Sequence, residues 1–214
     1  MSEQTDTPQE NTEIETIYHD QRSVALRTPQ SIYFVKEHDK VSMLGLLLND
    51  YKKTQVVIVV KSKKKADALS AFLISKEFKA TAVHGNHRQA QQQVAASKFN
   101  EGTLNVIITT DMILKTLELE NIKLFVSYNL PDIPQDYYNH LALMKELGVA
   151  IALVSPEDEP LLDGIEDNMK KEIEEKVLEG FVATATPTHS SKRQKDKKKK
   201  PRHRKNKVKK EQGA

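Results

Sequence analysis

A hydroxyl and four cations, Lys61-Ser62-Lys63-Lys64-Lys65, follow directly on the apolar run Val56-Val57-Ile58-Val59-Val60. Residues of these types just past a buried strand suit the holding of a phosphate. Ser62 is also an ordinary helix cap, and the two roles are compatible because a helix N-terminus itself attracts anions. A second polar block, His84-Gly85-Asn86-His87-Arg88-Gln89, adds a glycine that lets backbone come close to a ligand and the one arginine between residues 28 and 192. His84 and His87 read as surface histidines, because no carboxylate stands at metal-ligand spacing. A third block, Thr110-Asp111-Met112-Ile113-Leu114-Lys115-Thr116-Leu117-Glu118, again sets polar groups after an apolar run. Thiolate chemistry is excluded: the chain has no cysteine.

The strongest charge signal lies at the C-terminus. Residues 191–214 hold 13 lysines and arginines, Lys197, Lys198, Lys199, Lys200, Arg202 and Arg204 among them, against Asp196 and Glu211. The other 190 residues hold 20 basic and 28 acidic side chains. An acidic body with a basic tail points to a polyanionic partner met by the tail. The tail has no Phe, Tyr or Trp, so base stacking is not expected to drive binding there. No apolar run approaches a membrane span and residues 1–6 do not read as a signal peptide, so no membrane partner is expected and the expected location is the cytoplasm.

The elements that must position these blocks alternate along the chain. Residues 1–30 show no periodicity and read as disordered. Strands are predicted over 31–35, 56–60, 80–83, 104–109, 123–128 and 149–154, with helices between them, among them 89–99 and 135–146. A last helix is predicted from Pro156 to Gly180, with Leu162, Ile165, Met169, Ile173 and Val177 as its packing stripe. Such alternation implies an α/β domain over 31–180, a mostly parallel sheet with helices on both faces. A small-residue linker and a disordered basic tail over 181–214 complete the organisation.

Taken in order, these blocks resemble the C-terminal, RecA-like lobe of DEAD-box RNA helicases from about Ser31 to Leu162. Val57 to Leu69 is similar to that family's motif IV, with Ser62 where a hydroxyl residue contacts an RNA phosphate. His84 to Gln89 resembles its H-G-N-x-S-Q segment, although the arginine of the Q-x-x-R motif is Gln92 here. Thr110 to Glu118 aligns with motif V, T-D-V-A-A-R-G-L-D, with Lys115 for the arginine, Thr116 for the glycine and Glu118 for the aspartate. Lysine keeps charge but loses the planar fork that grips phosphate from two sides.

Tyr128 to Pro131, Pro134 to Tyr137 and Gly148 to Ser155 frame a motif VI region. Its middle, Tyr138 to Leu147, has no arginine where the family reads like Y-V-H-R-I-G-R-T-G-R-A-G and is about three residues shorter. Such arginines are worth about 10³–10⁵ in phosphoryl-transfer rate. No G-x-x-x-x-G-K-[ST] loop and no D-E-A-D box occur in the sequence.

The resemblance therefore implies a non-catalytic lobe, with no cofactor and with Glu118 and His140 as vestigial nucleotide contacts. Its RNA contacts are Ser62, Lys63, Gly85, Arg88, Gln89, Thr110, Asp111 and Lys115, joined by the basic tail. The alternative is a protein-interaction module that docks on an active helicase or another RNA-processing protein. A two-chain ATPase is disfavoured by the missing arginines. Backbone contacts would serve DNA too, and only the family resemblance selects RNA.

Overall fold

The computed structural model describes residues 23–144 and 148–184. Among them seven strands form one sheet: β1 (Gln30–Phe34), β2 (Val56–Val60), β3 (Ala80–Val83), β4 (Val106–Thr110), β5 (Leu124–Ser127), β6 (Val149–Val154) and β7 (Glu174–Glu175). Their order is β3-β4-β2-β5-β6-β1-β7, with every neighbouring pair parallel. The helices are α1 (Lys40–Leu47), α2 (Lys63–Ser75), α3 (Gln89–Asn100), α4 (Asp111–Leu114), α5 (Pro134–Ala142) and α6 (Glu159–Met169). This is the RecA-like α/β architecture expected from the sequence.

The continuous apolar run of β2 follows from burial on both faces. Val57 and Val59 join one core, with Phe99, Phe125, Tyr137, Tyr138, Leu141 and Ile165 from the α3, α5 and α6 side. Val56, Ile58 and Val60 point the other way, into a second core with Leu44, Leu48, Leu69 and Leu73. Register follows from this alternation, because a slip of one residue would exchange the two sets. Val56 pairs with Val106 on one side and Leu124 on the other, which brings the ends of β2, β4 and β5 level.

Gly148 marks a place where no side chain fits. A Cβ there would stand 2.7 Å from Met144 Sδ and 2.9 Å from the Ile122 carbonyl, so close backbone approach requires glycine at the entry to β6.

The ends of the domain differ from expectation. A helical turn over 23–27 precedes β1 and buries Ala25 completely, where the sequence shows no periodicity. Residues 1–22 lie outside the described residues. The final helix starts at Glu159 and stops at Met169, with Lys170 left-handed at φ 55°. Ile173 still reaches the core, but from the approach to β7, and Val177 is exposed. The reason is the open edge of β1. Its backbone pairs with Glu174 and Glu175, and the Lys176 amide donates to the Ile32 carbonyl at 2.9 Å.

Beyond β7 the chain returns to the lobe. The Thr184 amide and hydroxyl both donate to the Asp39 carboxylate, at 3.1 and 2.5 Å. Bonding from the Thr184 hydroxyl holds that carboxyl below its ordinary range.

Candidate nucleic-acid interface

In a parallel sheet the loops at the strands' carboxyl ends form the ligand face. There a cleft of about 890 Å³ opens between the ends of β2, β4 and β5 and the face of α5. Ser62, Lys63, Gly85, Thr110, Asp111 and His140 all line it. Of the remaining expected residues, Arg88, Gln89, Lys115 and Glu118 lie outside its lining. Arg88 and Gln89 are exposed at the start of α3, and the Glu118 backbone carbonyl is held by Asn100 at 2.9 Å. Lys197 to Lys200, Arg202 and Arg204 lie outside the described residues.

One edge of the cleft is cationic and open to solvent. Ser62 is the N-cap of α2, its Oγ accepting from the Lys65 amide at 3.2 Å, so the capping role is present. Lys61 pairs with Asp132 at 2.7 Å and Lys63 Nζ donates to Asn86 at 2.8 Å, both at the surface. Exposed pairs of this kind are worth about 0–1 kcal/mol and exchange readily for a phosphate. A Cβ added at Gly85 would stand 3.6 Å from Lys63, an ordinary contact, so glycine keeps the cleft floor open without relieving strain.

The opposite edge is closed upon itself. His140, expected as a vestigial nucleotide contact, is buried and pairs through Nε2 with Asp111 while its ring stacks on Phe125 at 5.2 Å. Lys115 bridges Asp136 at 2.7 Å and Asp111 at 3.2 Å. The His140 hydrogen bond is the largest of the causes that hold the Asp111 carboxyl below its usual value. Bonding to Asp136 pushes the Lys115 ammonium up. Motif V and motif VI segments thus neutralise one another, and sequence reading overlooked this because the partners lie 21 and 29 residues apart.

His84 also departs from expectation. It is buried, its Nε2 lies 2.8 Å from Asp67 Oδ1, and its ring stacks on His87 at 4.2 Å. Gln92, at the position of the family arginine, turns inward and donates to the His87 carbonyl at 3.0 Å. The Arg88 amide donates to Gln91 Oε1 at 2.9 Å, which fixes the start of α3 and leaves the guanidinium at the surface.

A further group escaped the sequence reading. Lys40 is fully buried and meets Asp158 at 2.7 Å, Glu37 at 3.2 Å and the Tyr128 carbonyl at 3.1 Å. Ser155 Oγ donates to Asp158 at 2.8 Å, and Lys65 pairs with Glu37. Burial raises the Asp158 carboxyl, but its bonds from Lys40 and Ser155 outweigh this and hold it low. The network ties the ends of β1, β5 and β6 to the first turn of α2. The only local signal was the Glu37/Lys40 spacing of three.

Among the described residues no cluster of three His, Asp or Glu fits a metal ion, and no helix is long and apolar enough to cross a membrane.

The fold defines a RecA-like lobe with lysines along one edge of its cleft. Residues 39–142 match the helicase conserved C-terminal domain. The ATP-dependent RNA helicase SUB2-2 of Vanderwaltozyma polyspora is 31% identical over 173 residues, covering 78% of this chain and 39% of the relative. Two solved structures share the fold. One is the E. coli DEAD-box protein SrmB bound to regulator of ribonuclease activity A, with a TM-score of 0.67 at 19% identity, covering 74% of this chain and 98% of that one. The other is S. cerevisiae Dbp5 bound to RNA and ADP BeF3, with a TM-score of 0.61 at 21% identity, covering 69% and 41%. The described body is thus similar to helicase C-terminal domains over residues 39–142, and the chain spans about two fifths of the length of the curated relative it matches.

Proposed function

We propose that this protein binds single-stranded RNA without turning over ATP, chiefly through its basic tail and secondarily through the cationic edge of the cleft. One observation carries the non-catalytic reading. When Tyr138-Asn139-His140 is aligned on the family's Y-V-H, the first two arginine positions fall on Leu141 and Met144. Both are buried in the core at 0% and 2% exposure, where neither side chain faces a ligand. Lys115, which stands for the motif V arginine, is taken up by Asp111 and Asp136. Binding needs only charge and geometry; the Ser62–Lys65 edge supplies both and the tail adds charge.

The solved relatives bound to RNA and to a protein regulator support either class of ligand for such a lobe. Met112 and Ile133, exposed at 77% and 58% on the cleft rim, favour a second reading in which the lobe docks on a protein of RNA processing.

Fluorescence anisotropy with single-stranded RNA at about 50 and 200 mM salt separates the two. For the full chain, affinity falls by about 10³-fold between these salts, as expected for some six to ten phosphate contacts. A chain ending at Thr184, where the compact body ends, retains weaker and less salt-dependent binding. Absence of RNA binding by both chains would reject the proposal in favour of protein docking.

A further inference from the structure

Beside the cleft, and sharing Ser62 with it, a second hollow of about 420 Å³ runs between α1 and α2. Val41, Ala68 and Leu69 give it apolar walls, Tyr128 closes its floor, and Lys64 and Lys65 stand at its rim. The Tyr128 ring is buried and has the ammonium groups of Lys40 and Lys65 at 5.7 and 5.2 Å from its centre. The lysines of the run differ in their commitments. Lys61 is held by Asp132, Lys63 by Asn86 and Lys65 by Glu37. Lys64 makes no hydrogen bond or ion pair with the described residues.

An uncommitted cation therefore stands at the mouth of an apolar slot, next to a capping serine on a helix N-terminus. A nucleotide unit of single-stranded RNA has the matching parts: a flat base with apolar faces, acceptors on its edge and an anionic phosphate one bond system away. A free aromatic side chain of a protein would fill the slot but leave Lys64 without an anion.

We propose that the hollow between α1 and α2 accepts one nucleobase of bound RNA, with the adjoining phosphate at Ser62 and Lys64. This rests on the reading of the lobe as an RNA-binding surface. It adds a base contact to a surface otherwise suited only to the backbone. The lysine donors at the rim favour bases that present carbonyl oxygens or unprotonated ring nitrogens there.

The test is photo-crosslinking of the full chain to single-stranded RNA carrying 4-thiouridine, with the linked residues mapped by mass spectrometry. Crosslinks at Val41, within residues 64–69 or at Tyr128 are expected. Ala68→Leu, a neutral side chain that fills the hollow from the exposed side of α2, should remove those crosslinks. It should also weaken RNA binding about 10-fold, the scale of one base contact, while leaving an abasic oligonucleotide of equal length unaffected. Crosslinks at residues 85–89 or Thr110 but none in the hollow would overturn the base slot and leave the RNA reading standing. Crosslinks confined to 185–214 would overturn the slot together with the lobe's share of that reading. Failure to bind RNA at all would overturn both.

Discussion

Two edges of one cleft have opposite chemistry. On the first edge Lys61 and Lys63 stand in exposed, exchangeable pairs and Lys64 is uncommitted among the described residues. Across the cleft, Asp111, Lys115, Asp136 and His140 satisfy one another, and α5 turns Leu141 and Met144 into the core. The His140–Asp111 pair, with the His140 ring buried, is harder to open than a surface pair, because the buried ring would lose its partner without gaining water. The first edge is therefore available to a polyanion. The second is paired within itself.

The sharpest way to break this contrast is to restore an arginine on the closed edge. Leu141→Arg buries a charge with no counter-ion in the core, and urea unfolding should show a loss of about 4 kcal/mol or more. No ATP hydrolysis should appear. A variant as stable as the parent, with ATPase activity, would erase the distinction between the edges.

His140→Ala removes the buried partner of Asp111 and leaves a gap beside Phe125. The expected loss is about 2–3 kcal/mol by the same measurement, with RNA affinity changed less than about 2-fold. Equal losses of stability and RNA affinity would place His140 on the binding surface.

Acid titration follows from the sign of the Asp111 shift. Its folded carboxyl sits below the ordinary value, chiefly through the His140 bond, so its stabilisation is fully present above about pH 4 and is lost as pH falls through the depressed folded value. Asp111→Asn should flatten that part of the stability-versus-pH curve, read by thermal unfolding between about pH 2 and 6. An unchanged slope would show that this pairing contributes nothing.

Effects on the open edge should be smaller and confined to binding. Lys63→Ala with Lys64→Ala should weaken RNA binding about 3- to 10-fold and make the salt slope shallower by roughly 1.4, while stability moves less than about 0.5 kcal/mol. Smallest of all, Gly85→Ala adds a methyl group in ordinary contact with Lys63. It should leave stability unchanged and cost about 2-fold in RNA affinity. A large loss of stability from either change would make the open edge structural as well.

How much of this the sequence disclosed depends on the range of the interaction. β2 was legible because five consecutive apolar residues are forced by burial on two faces, and Ser62 as a cap follows from its place between strand and helix. The pairing of the closed edge and the Lys40 network were not, because Lys40 meets Asp158 across 118 residues and nothing near Lys40 sets it apart from solvated lysines. His84 was misread as a surface residue for the same reason: Asp67 lies 17 residues away on another element. The last helix was overextended because Ile173 keeps helical spacing from Met169, and periodicity alone carries no information about the unpaired edge of β1. Ser62, Lys63, Gly85, Thr110 and Asp111, which the family resemblance singled out, line one cleft, but the resemblance gave no sign that the closed edge is paired within itself.

The most direct measurement of the contrast is amide chemical-shift mapping of the isotope-labelled full chain titrated with single-stranded RNA at about 50 mM salt. The account predicts perturbations at Ser62 to Lys65, Gly85 to Gln89 and Thr110, with Lys115 and Asp136 to Leu141 unmoved. Shifts concentrated on α5 and Lys115, with the Ser62 edge silent, would contradict it.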